Sequence, residues 1–260
     1  MKRFKFLIAA ASACIVACLS AGCKNVIKGD TFIEKTYSAS GEVTSLELNL
    51  RNSVVKIKEY DGESVSVTYS ETLSGNKAIN SYRVTEENGK LSVTEIKLAS
   101  ELVSMQAPET VVALPTGGSY EISVKIANGT ISLKADVAEY SSVKLQTDNG
   151  KISVDGELVC ASLECDTDNG SIELNGNVYA EEVDCKTDNG SVIAAFIAAE
   201  RVTLKTDIGS IEAKLIDDKT DYDITVSKPS VGSCNVENRK GGSRKLNLTC
   251  DVGSIEIIFD

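Results

Sequence analysis

The sequence predicts an all-β chain: a single-chain parallel β-helix, or β-solenoid, with repeats of about twenty residues and less regular N-terminal coils carrying a hairpin insertion. Three observations carry this expectation. Thr147-Asp148-Asn149-Gly150 returns as Thr167-Asp168-Asn169-Gly170 and Thr187-Asp188-Asn189-Gly190. It returns loosely as Thr206-Asp207-Ile208-Gly209 and Cys250-Asp251-Val252-Gly253, with an early form in Ala127-Asn128-Gly129. Gly129, Gly150, Gly170, Gly190 and Gly209 stand 21, 20, 20 and 19 residues apart, and the 44 residues on to Gly253 leave room for two further turns. The flanks of each glycine alternate apolar and polar with period two, the mark of a strand with one face buried.

The chain opens with Met1-Lys2-Arg3, an apolar stretch from Phe4 to Leu19, and Ser20-Ala21-Gly22-Cys23. A basic start, a short apolar run and small residues before a cut site make residues 1–22 a secretory signal. The run is too short for a comfortable membrane span. Ala21-Gly22-Cys23 resembles the bacterial lipobox, which implies that Cys23 is diacylated and becomes the first mature residue. Ser20 stands where that motif usually has Leu, and Cys18 after Ile15-Val16-Ala17 is a competing site with a stunted apolar run. Two acyl chains satisfy the requirement for stable anchoring, so residues 23–30 read as the lipidated cysteine and a short tether.

Residues 31–118 read as early coils forming one continuous domain with residues 119–260. Leu46/Leu48/Leu50, Val55/Ile57 and Val65/Val67/Tyr69 alternate, with turns at Arg51-Asn52-Ser53 and Asp61-Gly62. Tyr82/Val84 and Leu91/Val93 flank Asn88-Gly89, a hairpin signal. Residues 74–80 and 99–109 read as loops.

Residues 119–260 are the regular solenoid. Before each glycine come Val143/Leu145/Thr147, Leu163/Cys165/Thr167, Val183/Cys185/Thr187 and Val202/Leu204/Thr206; after it come Ile152/Val154, Ile172/Leu174, Val192 and Ile211/Ala213. A third column eight residues past the glycine holds Val137, Leu158, Val178 and Ala198. Each repeat thus offers about three short strands. One repeat cannot bury its apolar row alone, whereas stacking repeats in register does so. Asn and Gly tolerate the left-handed backbone angles of a tight bend, which makes Asn128, Gly129, Asn149, Gly150, Asn169, Gly170, Asn189, Gly190, Gly209 and Gly253 structural turn residues. The final strand, Ile255/Ile257/Phe259, is expected to close the far end.

Composition narrows function. The apolar share is 42%, enough for a packed core. There is no histidine, the usual neutral-pH acid/base and commonest metal ligand. Net charge is −11, and the chain beyond the signal is more negative still, which disfavours nucleic acid and bare anionic lipid.

The Asn-Gly repeats, Val112-Ala113-Leu114-Pro115 and Gly253-Ser254-Ile255-Glu256-Ile257 resemble the putative-adhesin family of bacterial envelope proteins over roughly residues 40–260. The resemblance implies a β-helical extracytoplasmic domain, often tethered, with roles in surface attachment or envelope-stress signalling. It implies no catalytic residues and no cofactor.

Each candidate site has a structural reading beside it. Asp148, Asp168, Asp188 and Asp207 form a ladder whose mutual repulsion calcium would relieve. Calcium-binding β-rolls use a shorter, glycine-richer repeat, and turn aspartates commonly accept backbone hydrogen bonds. No metal is therefore expected. Cys160, Cys165, Cys185, Cys234 and Cys250 lack zinc spacing. They read as small buried hydrophobes, with Cys165 and Cys185 stacked in one column, near enough for a bridge but in a register that a disulfide does not prefer.

Functional sites tend to break local rules. The irregularities are Phe196 with Ile197, the loop 228–232, and the run from Arg239 and Lys240 to Arg244 and Lys245. That run reads as a solvated loop and a candidate docking surface for an acidic partner. Tyr140 and Tyr179 read as outward tyrosines that share no column, which argues against a sugar-stacking platform.

The function expected is a non-enzymatic, membrane-tethered surface binding scaffold for an unknown protein or glycan. The alternative is an envelope-stress regulatory lipoprotein, favoured by the short tether; the third is a β-helical enzyme acting on polysaccharide.

Overall fold

Period-two alternation buries one row of each strand, and the twenty-residue repeat decides which rows meet. A computed structural model describes residues 31–74, 76–98, 107–136 and 138–260. The expected signal, Cys23 and tether lie outside the described residues, as do Val137 and residues 99–106 of the expected loop.

The strands are β1 (Thr31–Ser38), β2 (Ser45–Asn52), β3 (Val54–Tyr60), β4 (Ser66–Ser74), β5 (Lys77–Ala78), β6 (Asn80–Glu87), β7 (Lys90–Lys97) and β8 (Glu109–Pro115). Then come β9 (Ser119–Asn128), β10 (Ile131–Ala135), β11 (Glu139–Asn149), β12 (Ile152–Asn169), β13 (Ile172–Asn189), β14 (Val192–Leu215), β15 (Tyr222–Ser227) and β16 (Arg244–Phe259). All join one sheet wound into a parallel solenoid with antiparallel strands at its N-terminal end.

Register follows the repeat. Val143 lies over Leu163, Val183, Val202 and Leu246, while Leu145 lies over Cys165, Cys185, Leu204 and Leu248. All ten are buried. Each such side chain contributes roughly 1.5–3 kcal/mol through removal from water, so stability grows coil by coil rather than from one centre.

One column differs from the sequence reading. Val178 pairs with Ile197, not Ala198, and Ile197 is fully buried. The register shifts between Leu174 and Asn177 because the 19-residue repeat has one residue fewer at this corner. Residues 74–80 are not wholly loop, since β5 pairs with the end of β4.

Both ends depart from chain order. At the N-terminal end β2 and β3 lie between β7/β8 outside and β9/β10 inside. At the other end β16 runs parallel between β14 and β15. The final strand is therefore an interior layer, and residues 222–239 close the end. The hairpin at Asn88 and Gly89, whose φ values are 52° and 75°, joins β6 to β7, and β7 itself serves as a coil strand beside β2.

Parallel stacks expose unpaired edges that invite aggregation. Here β4 and β1 cover β8 in antiparallel fashion, and β6 covers β7. Opposite, Ile224 exchanges both backbone bonds with Arg239, at 2.8 and 3.0 Å, so β15 is covered too.

Candidate binding surface

The Thr-Asp-Asn-Gly corner is a set of parallel ladders. Thr147, Thr167, Thr187 and Thr206 are buried, and each hydroxyl donates to the glycine carbonyl of the preceding coil: to Gly129 at 3.4, Gly150 at 3.0, Gly170 at 2.8 and Gly190 at 2.7 Å. A buried carbonyl without a partner costs about 1–3 kcal/mol, so the hydroxyl is needed where a coil turns away from its neighbour.

Glycine is required by close approach. A Cβ on Gly170 would lie 1.9 Å from the carbonyl oxygen of Gly150, and one on Gly253 would lie 1.6 Å from that of Gly209. The ladder extends beyond the sequence reading at both ends. Buried Ser53 replaces glycine beneath Gly129, and Gly232 stacks on Gly253.

The asparagines form a third ladder at the solvent edge. Each side-chain amide donates to the carbonyl oxygen of the one before: Asn128 to Asn52 at 2.8, Asn149 to Asn128 at 3.1, Asn169 to Asn149 at 3.0 and Asn189 to Asn169 at 3.1 Å. Beyond Asn189 the column changes character. It continues as Ile208, Val252 and Val231, which are 57%, 41% and 66% exposed.

Asp148, Asp168, Asp188 and Asp207 stand one residue before this column, outside the core, and Asp251 extends them. Asp207 pairs with Lys205 at 3.0 Å. Among the described residues no three His, Cys, Asp or Glu side chains gather as a metal-ligand set. Asp166, close by, has its carboxyl pushed up by partial burial and by Asp168 and Glu164.

The basic run is engaged with its own molecule. Arg244 and Lys245 begin β16 rather than sit in a loop. Arg244 pairs with Asp217 at 2.9 Å and donates to the carbonyl of Ala199, Arg239 donates to that of Tyr222, and Lys240 pairs with Asp223 at 2.9 Å. Lys245 remains exposed.

Among the described cysteines, Cys160, Cys165, Cys185 and Cys250 are buried thiols and Cys234 is half-buried. Burial pushes Cys160 up to about 12. Contact with the thiol of Cys185, then burial, holds Cys165 well above the usual thiol range.

Tyr140 corrects the sequence reading: it faces inward, buried beside Tyr120, and its hydroxyl donates to Glu59 at 3.0 Å. Tyr179 is the outward one, with Phe196 beside it at 6.1 Å between ring centroids.

Three carboxylates that the repeat does not mark tie the irregular segments down. Glu86 accepts from the Tyr37 hydroxyl and from the backbone N–H groups of Ser40 and Gly41. Glu59 accepts from the N–H groups of Asp136 and Ala138, and Glu95 from those of Arg51 and Asn52. Such long-range partners have no local sequence signature. Glu95 also lines a cleft of about 280 Å³ of mixed polar and apolar character, with Arg51, Asn80, Asn128 and Ile79.

The chain is similar in structure to a putative adhesin from Bacteroides fragilis, 14% identical, with a TM-score of 0.50 over 88% of this chain and 98% of that one. It is similar also to a putative adhesin from Parabacteroides merdae, 15% identical, with a TM-score of 0.48 over 90% and 99%. A third is a putative cell adhesion protein from Clostridium sporogenes, 15% identical, with a TM-score of 0.41 over 88% and 100%. At these identities the likeness is one of fold. No curated protein matches the chain. The Toastrack DUF4097 family matches residues 43–259, from the second strand to the last, and the chain belongs to that family.

Proposed function

We propose that the protein is a non-enzymatic binding scaffold of the adhesin kind, held outside the cytoplasmic membrane through diacylated Cys23. The observation that carries this reading is the corner itself. Hydroxyl, glycine and amide ladders fix successive coils, so outward side chains stand in columns at strand spacing on a rigid support. Preorganised surfaces lose little entropy on binding. The adhesin description of the Bacteroides fragilis neighbour agrees with it.

A regulatory role in the envelope is the second reading. It is favoured by β1, the outer strand of the N-terminal cap, which begins at Thr31. The eight residues from Cys23 to Asp30 span at most roughly 28 Å when extended, which would keep that cap near the membrane.

The test places a photo-crosslinking residue at Tyr179, Glu173 or Lys245 in the full-length protein on intact cells. Fatty-acid labelling of Cys23 is followed in parallel. Capture of a foreign glycan or protein supports the scaffold, and capture of a membrane kinase or permease supports the regulator. Absence of adducts from every face, with the protein confirmed at the surface, rejects both. Label retained in Cys23→Ala moves the anchor to Cys18. Cleavage of envelope polysaccharide by the purified protein would replace the non-enzymatic reading.

A further inference from the structure

The asparagine ladder stops where nothing in the backbone requires it to stop. Ile208 pairs in register with Asn189, and Val252 with Ile208, so a side-chain amide at residue 208 would stand where it donates to the Asn189 carbonyl oxygen. Three consecutive layers instead place a β-branched apolar side chain in water, at Ile208, Val252 and Val231. Contiguous apolar exposure of this kind marks an interaction site more often than isolated exposed residues do.

The surroundings select the partner. On one side stand Asp188, Asp207 and Asp251, with Lys205 as the cation among them, already paired to Asp207. That leaves an excess of negative charge beside the stripe. On the other side Ser210 and Ser254 bond to each other at 3.0 Å. An acidic margin repels anionic lipid and other acidic surfaces, including most of this chain's own, and attracts lysine and arginine.

We infer that the stripe of Ile208, Val252 and Val231, with Asp188 and Asp251 at its margin, docks a cationic, apolar polypeptide segment. The apolar side chains of that segment cover the three residues, while its basic side chains meet the two aspartates. This deepens the scaffold reading and rests on it. The stripe lies at the end of the solenoid opposite β1, the end a tethered protein presents outward.

The test uses the purified full-length protein and two fluorescent peptides, one alternating Lys with Val and one alternating Glu with Val. The Lys-Val peptide is expected to bind with an affinity that falls as salt rises. Ile208→Asn/Val252→Asn is expected to weaken it at least about tenfold, with a thermal midpoint equal to or above that of the unsubstituted chain because the amide ladder is extended. Should the double variant fail to fold, Val231→Thr, at the most exposed position, serves instead. Equal binding by the variants, equal binding of the Glu-Val peptide, or no saturable binding overturns the inference. So does vesicle binding or self-association that the same substitutions abolish, which would reassign the stripe to lipid or to a second copy. Adducts at Tyr179 or Glu173 would leave the scaffold reading standing if this one fails.

Discussion

The thiol of Cys250 donates to the carbonyl oxygen of Gly209 at 3.5 Å, in the place where the hydroxyl of Thr206 reaches Gly190 at 2.7 Å. Sulfur is the weaker donor. Cys250→Thr restores the ladder's own group and is expected to stabilise the chain by about 0.5–1.5 kcal/mol. Thr187→Val, which leaves the carbonyl of Gly170 unpaired, is expected to cost about 1–3 kcal/mol. Urea unfolding of the two variants checks both signs.

Glycine substitutions should separate by place. Gly170→Ala drives a methyl to within 1.9 Å of backbone that cannot yield without parting two coils. A loss on the order of 4 kcal/mol or more is expected. Gly117→Ala meets nothing within 4 Å, and its φ of 75° is the sole obstacle, so roughly 1–2 kcal/mol is expected. Thermal melts of the pair decide whether close approach or backbone angle governs the corner.

Two acids should respond to pH in opposite directions. The backbone N–H of Ser40, first, and the Tyr37 hydroxyl hold the Glu86 carboxyl below its ordinary range. Its contribution is present at neutral pH and is lost as pH falls through the folded value. Glu86→Gln is therefore less stable than the unsubstituted chain near neutrality, and the gap closes in acid. Asp166 is raised by burial and by neighbouring acids. Its contribution favours folding in acid and is lost as pH rises through its folded value. Asp166→Asn is expected to stabilise the protein at neutral pH and to lose that advantage in acid. Melting temperatures across pH for the three chains test the signs.

Thiol chemistry offers a probe of the core. Buried thiols react slowly because a reagent cannot reach them and their surroundings disfavour the nucleophilic thiolate. Of the five described cysteines, Cys234, half-buried, is expected to alkylate first, while Cys160, Cys165, Cys185 and Cys250 alkylate only on unfolding. Peptide-resolved mass spectrometry gives the order, and early labelling of Cys165 would show that the coils breathe.

The repeat is legible in the sequence because period fixes register: residues twenty apart, such as Asn149 and Asn169, meet in the same column wherever coils stack in parallel. What escapes a sequence reading is non-local. Glu59 reaches Ala138 across 79 residues, and no window of sequence contains both. Tyr140 reads as outward from sequence because the alternation of Val143, Leu145 and Thr147 carried back along β11 puts it on the outer face, whereas the strand is irregular between Tyr140 and Ser142 and the faces exchange there. Ile208 and Val252 stand in plain view as departures from Asn, yet only exposure shows that they face water.

The place of β16 has a consequence for how the molecule is completed. Its sixteen residues follow β15 in the chain, yet they form a middle layer, paired with β14 on one side and β15 on the other. A chain that stops short does not lose an edge; it loses the seat on which its own closing segment rests. The segment that closes the solenoid thus waits on residues that come after it in the chain, because β15 has no place to dock until β16 lies on β14.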